Sequence, residues 1–423
     1  MRTHATTPTS QKCRRVAALG GAGDDAGTGI AVDPAGNVYI TGTTKGGFPT
    51  TPGAFQPSPP VQPSIPAAYF VAKLNPQGTK FEYVTCLQSS SAGAQGPGSG
   101  PAAIAVDAQG NAYITGSTVS SQTFIAKASP DGSTLLYNTL LGDASSGLAI
   151  TVDGNGDAYV TGQTTAIDFP VTPGAFQTSL KSCQTTELTY CLGNAFVAEL
   201  NPSGKVAFAT SLGGSRTDTP FAIQVDSAGY VYVAGETSSP HFPTTPGSYE
   251  PNALIPMWSL PTADSYGSPG GFAAKLSPAG DKLAYSTYVF SDGGVRTMTL
   301  DNAGGAYVTG VTGGGVGVTA SAPQPCMVAN EDAFVTHLDL NGALLDIHQR
   351  GRQHGQADFR AANLRRDTRQ RAHFQVPVDV LQRDYRVIDH ARESQRHAAQ
   401  DHGISKCFPS RPAPRTPPRR REE

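Results

Sequence analysis

One hairpin pattern recurs five times in this chain and limits the folds that the chain can adopt. Each copy has a short apolar strand that ends in Asp, a tight turn with Gly, and a second strand that carries Tyr, as in AVDPAGNVYITG. The copies lie at residues 31–42, 105–116, 151–162, 224–235 and 299–310. Repetition of one hairpin predicts a repeat architecture.

A second hairpin follows each copy of the first. Its sequences include FVAKLNPQG at 70–78, FVAELNPSG at 196–204 and FVTHLDLNG at 334–342. In the first four units, one more strand, such as KVAFATSLGG, comes directly after it. Each unit is therefore predicted to have four strands, which we call A, B, C and D in chain order.

The turn between strands A and B has the same two residues in every unit. Its Asp can accept hydrogen bonds from the backbone of the turn, and its Gly can take the positive φ that hairpin turns need. We predict a structural turn role for Asp33, Asp107, Asp153, Asp226, Asp301, Gly36, Gly110, Gly156, Gly229 and Gly304.

Spacing favours a propeller. One unit, from Asp107 to Asp153, is about the size of one four-stranded propeller blade. Three units are longer, and each of them carries an insertion with an aromatic T-P-G segment between strands B and C, at 48–56, 169–177 and 242–250. We expect these aromatic side chains to cover the blades. The alternative is an apolar rim exposed to a partner.

These motifs, in one fixed order, resemble the SBBP family of bacterial beta-propeller repeat proteins over about residues 16–345. The resemblance implies an all-β propeller of four-stranded antiparallel blades, often on secreted or cell-surface proteins, and it implies no catalytic residue. The family is described as seven-bladed, whereas five units are visible here. We expect the N-terminal strand at 16–20 to close a five-bladed ring by pairing with 334–338; the alternative is an open arc.

Two structural expectations follow from the repeats. Strand A is the least charged strand and should lie nearest the axis, where crowding is greatest. The Tyr in strand B recurs at one position and should be buried between neighbouring blades. These tyrosines are Tyr39, Tyr113, Tyr159, Tyr232 and Tyr307.

The composition and the N-terminal residues bear on the cellular location of the protein. No run of 18 apolar residues is present, so no transmembrane helix is expected. Residues 1–15 are predicted to be flexible, and they lack the apolar core of a signal peptide. An extracellular or cell-surface location is therefore implied by the family resemblance alone.

Six cysteines are present and no C-x-x-C motif occurs, which argues against a zinc knuckle. Cys183 and Cys191 lie in one insertion and could form a disulfide in an oxidising compartment. The alternative is two free thiols in a loop.

The composition changes abruptly after Leu345. Residues 1–345 have 14 basic and 23 acidic side chains, a net charge of −9, whereas residues 346–423 have 17 and 10, a net charge of +7. This basic tail could bind nucleic acid or membrane, could be a helical extension, or could be an out-of-frame translation of further repeats. We favour the last, because the break falls inside a strand, and we expect a tail without a packed core.

Candidate sites are few. No G-x-S-x-G, H-E-x-x-H or P-loop motif occurs. Asp153, Asn155 and Asp157 resemble the start of a calcium loop, although the Gly and Glu later in that loop are missing. We expect a hairpin turn there and keep calcium only as a weak alternative cofactor. The five strand-A Asp residues could also form a ring that holds a cation, but turn capping accounts for all of them.

The sequence therefore favours a non-enzymatic propeller that acts as a binding or scaffold module. The expected partner is a protein, a glycan or cell-wall material and not a nucleic acid, and the expected state is a monomer. The alternative is a propeller enzyme of the lyase or lactonase kind with a metal in the central funnel. An enzyme needs a polar cluster that breaks the repeat symmetry.

Overall fold

The computed structural model describes residues 18–57, 68–87, 103–118, 120–183, 192–252, 270–290, 293–313 and 332–350. In these ranges the regular structure consists of strands and one short 3-10 turn at Lys181–Cys183. The strands form five separate antiparallel sheets of four strands, each paired in chain order. The protein is an all-β propeller, as the sequence predicts, and each sheet is one blade.

The blades share one A-B-C-D order and similar strand lengths. Blade 1 has β1 (Asp25–Val32), β2 (Val38–Thr44), β3 (Ala68–Leu74) and β4 (Phe81–Leu87). Blade 2 has β5 (Ala103–Val106), β6 (Ala112–Ser117), β7 (Thr123–Ala128) and β8 (Leu135–Leu141). Blade 3 has β9 (Ser145–Val152), β10 (Ala158–Thr164), β11 (Asn194–Leu200) and β12 (Val206–Leu212). Blade 4 has β13 (Asp218–Val225), β14 (Val231–Thr237), β15 (Gly270–Leu276) and β16 (Leu283–Tyr288). Blade 5 has β17 (Gly293–Leu300), β18 (Ala306–Thr312), β19 (Asp332–Leu338) and β20 (Leu344–Arg350).

Strand A lies on the inner side of each blade. The first strands β1, β5, β9, β13 and β17 contact one another in succession, whereas the fourth strand of each sheet lies at its far edge. This confirms the prediction that strand A is nearest the axis. The sheets pack face to face around that axis, as blades of a propeller do.

A bulge shapes the inner hairpin of most blades. In blade 3 the register between β9 and β10 shifts at Gly162. A Cβ at this position would lie 2.0 Å from the carbonyl oxygen of Ser146, so only glycine fits there. This close approach explains the Gly that ends the Y-x-T-G part of the repeat.

The core is built from the faces that neighbouring blades turn towards each other. Between blades 1 and 2, Tyr39, Val71 and Tyr83 pack against Ile104 and Phe124, and all five are buried. Equivalent clusters fill the next three interfaces. Each blade is therefore stabilised mainly by its neighbours, as in other repeat proteins.

Blade 1 has one face without a covering blade. Ile30 is 59% exposed, whereas Ile150 and Ile223, at the same position in blades 3 and 4, are 8% and 3% exposed. Val32 beside it is 58% exposed. In the described part of the chain, therefore, the ring is not closed on this side.

The predicted closure by the N-terminal strand is wrong. The outer partner of β19 is β20, the chain's own strand D, so no strand is missing there. Leu19 instead packs in blade 1 against Phe48 and Phe70.

The propeller also extends to Arg350, beyond the boundary that the sequence suggests at Leu345. Ile347 is 1% exposed and continues the inward pattern of strand D despite the polar residues around it.

The remaining tail, residues 351–423, and the N-terminal residues 1–17 lie outside the described residues. The three hypotheses about the basic tail therefore stay predictions. Within the described ranges, the structure has no helix whose length and apolar character would let it cross a membrane.

Candidate functional site

The Asp of strand A organises the turn between strands A and B. Asp107 Oδ1 accepts hydrogen bonds from the backbone N–H groups of Gln109 at 3.0 Å and Asn111 at 2.8 Å. The bond from the fourth residue of the turn recurs in all five blades. Gly110 has a φ of 85°, a backbone conformation that glycine adopts without strain. The Asp and Gly residues for which the sequence predicts a turn role therefore all lie in this hydrogen-bonded turn.

The same carboxylate also links its blade to the next one through the strand-B tyrosine. The Tyr113 hydroxyl lies 2.9 Å from Asp107 Oδ2 and 3.3 Å from the carbonyl oxygen of Gly156 in blade 3. Burial, and then Asp107, raise the pKa of Tyr113, so its hydroxyl stays a donor. Tyr39 and Tyr232 make equivalent pairs of contacts. We call this arrangement the Asp–Tyr latch.

Burial of the tyrosines follows the prediction in four blades. Tyr39, Tyr113 and Tyr232 are fully buried, and Tyr159 is 4% exposed. Tyr307 in blade 5 is only half-buried. The reason is its position, because no following blade covers blade 5 in the described chain.

A cation completes the latch in blades 2 and 4. Lys127 Nζ lies 4.7 Å from the ring centroid of Tyr113 and 3.9 Å from Asp107 Oδ2. Lys275 holds the corresponding position in blade 4. Each lysine thus combines a cation–π contact with an ion pair that is largely shielded from water.

Blade 5 uses a histidine at the same position. The His337 ring stacks on Tyr307 with 3.9 Å between centroids, and its Nε2 lies 2.9 Å from Asp301 Oδ2. The position in strand C therefore supplies a partner for the strand-A Asp in several blades.

Blade 3 breaks this pattern. Its strand-C residue is Glu199, which lies in register beside Tyr159. Burial, and then Asp157 and Asp153, raise the pKa of Glu199 to about 7. Burial and Asp153 also raise the pKa of Asp157. Blade 3 thus gathers three carboxyl groups where blades 2 and 4 have a lysine beside one Asp.

Sequence analysis did not single out Glu199. The signal was available, because FVAEL replaces FVAKL at one register position of the repeat. The raised pKa of Glu199 depends on burial and on the nearby Asp157 and Asp153, and only the folded structure brings these together.

The calcium-loop candidates form a hairpin turn. The backbone N–H groups of Asn155 and Asp157 both donate to Asp153 Oδ1 at 2.9 Å, and Asn155 Nδ2 donates to Asp153 Oδ2 at 3.2 Å. Within the described ranges, no group of three or more His, Cys, Asp or Glu side chains is arranged to hold a metal ion. Calcium at this turn stays a prediction.

The insertions cover their blades, as we expected. Phe48, Phe169 and Phe242 are 3–5% exposed. Each ring packs on the strand-C phenylalanine of its own blade, with 4.2 Å between the centroids of Phe48 and Phe70. The second aromatic of each segment reaches the next blade, where the Phe176 N–H donates to the carbonyl oxygen of Gly280 at 3.0 Å.

A buried carboxyl group in blade 4 was not predicted. Asp218 is fully buried and accepts hydrogen bonds from Thr237 Oγ1, Asn194 Nδ2, Ser239 Oγ and the N–H of Gly214. Burial raises its pKa to about 7, although these hydrogen bonds act in the opposite direction. Its complete set of partners indicates a structural role at the start of strand A.

The predicted disulfide lies outside the described residues, because Cys191 belongs to the segment 184–191. Cys86 is a buried free thiol, and burial raises its pKa to about 11. Because a thiol with a raised pKa is rarely ionised, Cys86 is expected to be an unreactive residue of the core.

Two stretches of the chain, residues 18–49 and 208–243, match the model of the SBBP family, a beta-propeller repeat. Both contain a strand A and a strand B of the repeat, the two strands that carry the Asp–Tyr latch. The match confirms the resemblance drawn from the sequence motifs. No curated protein sequence matches the chain.

The solved structures that match this chain are distant in sequence. A protein of unknown function from Bacteroides caccae is 11% identical, over 66% of this chain and 90% of its own, with a TM-score of 0.27. The gluconolactonase XC5397 from Xanthomonas campestris is 15% identical, over 67% of this chain and 71% of its own, with a TM-score of 0.30. YCF48 bound to D1 peptide is 10% identical, over 78% and 68%, with a TM-score of 0.34. At such scores, none of them informs the activity of this chain.

Proposed function

We propose that this protein is a non-enzymatic β-propeller that acts as a binding or scaffold module at the cell surface or outside the cell. One observation carries the proposal: the strand-A carboxylates, the repeated acids near the axis, are engaged in turn and latch hydrogen bonds. Asp107, for example, accepts from two backbone N–H groups, Asn111 Nδ2 and the Tyr113 hydroxyl. Catalytic carboxylates need lone pairs that can reach a substrate or metal.

The proposed partners are proteins, glycans or cell-wall material. The surface location is supported by the resemblance to propeller repeats that are often found on secreted and cell-surface proteins. The regular interior also supports a scaffold, because each blade repeats the same structural hydrogen bonds, whereas active sites depart from repeat symmetry.

A metal-dependent propeller enzyme is the second candidate, and blade 3 is the observation that favours it. Asp153, Asp157 and Glu199 break the symmetry of the latch, and burial, followed by the two neighbouring aspartates, raises the pKa of Glu199. A bound cation would relieve this repulsion.

Two assays on the full chain distinguish the candidates. In the first, purified protein is sedimented with isolated bacterial cell walls over a range of concentrations. In the second, hydrolysis of aldonolactones is followed with and without calcium, using Glu199→Gln as a matched variant. The proposed function predicts saturable co-sedimentation and no turnover. Calcium-dependent turnover that is lost in Glu199→Gln would favour the enzyme instead.

A further inference from the structure

In three blades, the insertion covers the outer edge of strand D. In blade 3 the N–H of Thr172 donates to the carbonyl oxygen of Ala209 at 2.9 Å, and the N–H of Ala209 donates to Thr172 Oγ1 at 3.0 Å. The N–H of Ser211 donates to the carbonyl oxygen of Gln177 at 3.2 Å. The insertion thus pairs with an edge that would otherwise expose unpaired backbone groups.

The same contacts occur in blades 1 and 4. In blade 1, Thr51 is hydrogen-bonded to Val84, and Gln56 to Cys86, along the outer edge of β4. In blade 4 the equivalent residues are Thr245 and Glu250 against Ser286 and Tyr288. In all three blades, a threonine of strand D accepts one further N–H bond from the insertion. One interface is therefore built three times in the molecule.

Blade 2 has the edge but not the insertion. Only residues 119–122 separate Thr118 from Thr123, which is too short for an insertion of this kind between strands B and C. Register places Asn138 and Leu140 where Ala209 and Ser211 lie in blade 3. Among the described residues, no backbone group outside β7 is hydrogen-bonded to the backbone of either residue.

Two leucine side chains of β8 are exposed in the described structure. Leu136 is 49% exposed and Leu140 is 37% exposed. Asn138 Oδ1 is buried and has no hydrogen-bond partner among the residues that the structure describes. A buried polar atom without a partner costs free energy that a bound donor would recover.

We propose that the outer edge of blade 2, formed by β8 at Asn138, Thr139 and Leu140, is a docking site for an extended peptide segment of a partner protein. The segment resembles the insertions themselves: a Thr or Ser, a Pro-Gly turn, an aromatic residue and a Gln. Addition of a strand to an open sheet edge is a general mode of peptide recognition. We infer the sequence of this segment from the insertions of blades 1, 3 and 4, because each of them binds the corresponding edge of its own strand D.

The pocket for the first insertion aromatic is already filled in blade 2. Tyr69 of blade 1 packs on Phe124, with 5.2 Å between ring centroids, in the place that Phe169 takes on Phe196. The partner segment therefore needs only the part from the Thr onwards.

Binding of the second aromatic residue of the peptide requires one exchange of hydrogen-bond partners. The N–H of Phe176 in blade 3 donates to the carbonyl oxygen of Gly280 in blade 4. The corresponding carbonyl beside blade 2, on Gly204 of blade 3, accepts the Thr139 hydroxyl at 2.6 Å. An incoming aromatic N–H takes this carbonyl and releases Thr139 Oγ1. The released oxygen can then accept from the peptide, as Thr210 accepts from Gln177 in blade 3.

The test measures binding of a fluorescein-labelled peptide, VTPGAFQT (residues 171–178), to the full chain by fluorescence anisotropy. Leu140→Pro removes the edge N–H but keeps the ladder to β7, because proline is tolerated on edge strands. We expect saturable binding that becomes about tenfold weaker in Leu140→Pro, since an N–H bond is lost. Leu140→Ala keeps the N–H and should bind within about twofold of the parent, since the backbone bond is unchanged.

Two further measurements keep the result decisive. If Leu140→Pro does not fold, Thr139→Val tests the same edge and should also weaken binding. The same peptide with Thr172→Val should bind more weakly than the parent peptide. No saturable binding, or equal binding to parent and edge variants, overturns the proposal. The proposal rests on the binding function above: cell-wall binding without peptide binding overturns this site alone, and loss of both overturns the binding function as well.

Discussion

Replacing Glu199 should stabilise the protein at neutral and alkaline pH. In the folded state, burial and the neighbouring Asp157 and Asp153 raise the Glu199 pKa from 4.5 to about 7. Between these values the folded chain binds more protons than the unfolded chain, so the free energy of unfolding falls as the pH rises. Glu199→Gln mimics the protonated acid and removes this penalty.

The size of the effect follows from the two pKa values. Each pH unit between them is worth about 1.4 kcal/mol, or about 3 kcal/mol in all. Glu199 is only partly buried, and solvent screening reduces this to about 1–2 kcal/mol. The gain in Glu199→Gln should be near zero at pH 4.5 and complete by about pH 8.

A lysine should add to this gain. Glu199→Lys restores the residue found in blades 2 and 4, where Lys127 lies over Tyr113 and beside Asp107. A cation–π contact and an ion pair of this kind should add about 1 kcal/mol above that of Glu199→Gln at pH 8.

Urea unfolding of the full chain at pH 5 and pH 8 measures both variants. The matched control is Glu82→Gln, on an exposed part of β4 beside Lys80, and should change little at either pH. If Glu199→Gln were equally stabilising at both pH values, or destabilising at pH 8, the explanation from clustered carboxylates would be refuted.

Two other substitutions test the latch and the buried acid. Tyr113→Phe removes the hydroxyl that joins Asp107 to Gly156 and should lower the free energy of unfolding by about 1–2 kcal/mol, measured by urea titration; no change would argue against the latch. Asp218→Ala leaves buried donors such as Asn194 Nδ2 without an acceptor and should cost about 3 kcal/mol or more, seen as a lower melting temperature; a neutral result would contradict the structural role.

Much of the fold could be predicted because its information is local. Asp, Gly and Tyr recur at fixed spacing, and turn chemistry and strand alternation follow from a few neighbouring residues. The burial of Tyr39 and the position of strand A followed directly.

Strand β20 was missed because its sequence departs from the repeat. Asp346 stands where Tyr83 and Tyr285 stand in blades 1 and 4, so the aromatic signal of strand D is lost. Pairing with β19 and burial of Ile347 still hold the strand in place, and these depend on tertiary contacts that no local pattern shows.

The candidate sites were harder to predict for the same reason. The carboxyl group of Asp218 accepts hydrogen bonds from residues up to 24 positions away, and the insertion threonine Thr172 binds a strand 37 residues further on. The outer edge of blade 2 can be recognised as different only after these long-range contacts show that insertions cover the outer edges of blades 1, 3 and 4.

Hydrogen exchange of single amides along the outer strands tests the account most directly. If insertions cover the outer edges of blades 1, 3 and 4 and leave that of blade 2 open, the amides of Cys86, Ala209 and Ser211 should be protected. Those of Asn138 and Leu140 should exchange much faster in the free protein. Equal protection of β8 and β12 would contradict the account, because it would mean that another segment already pairs with the edge of blade 2.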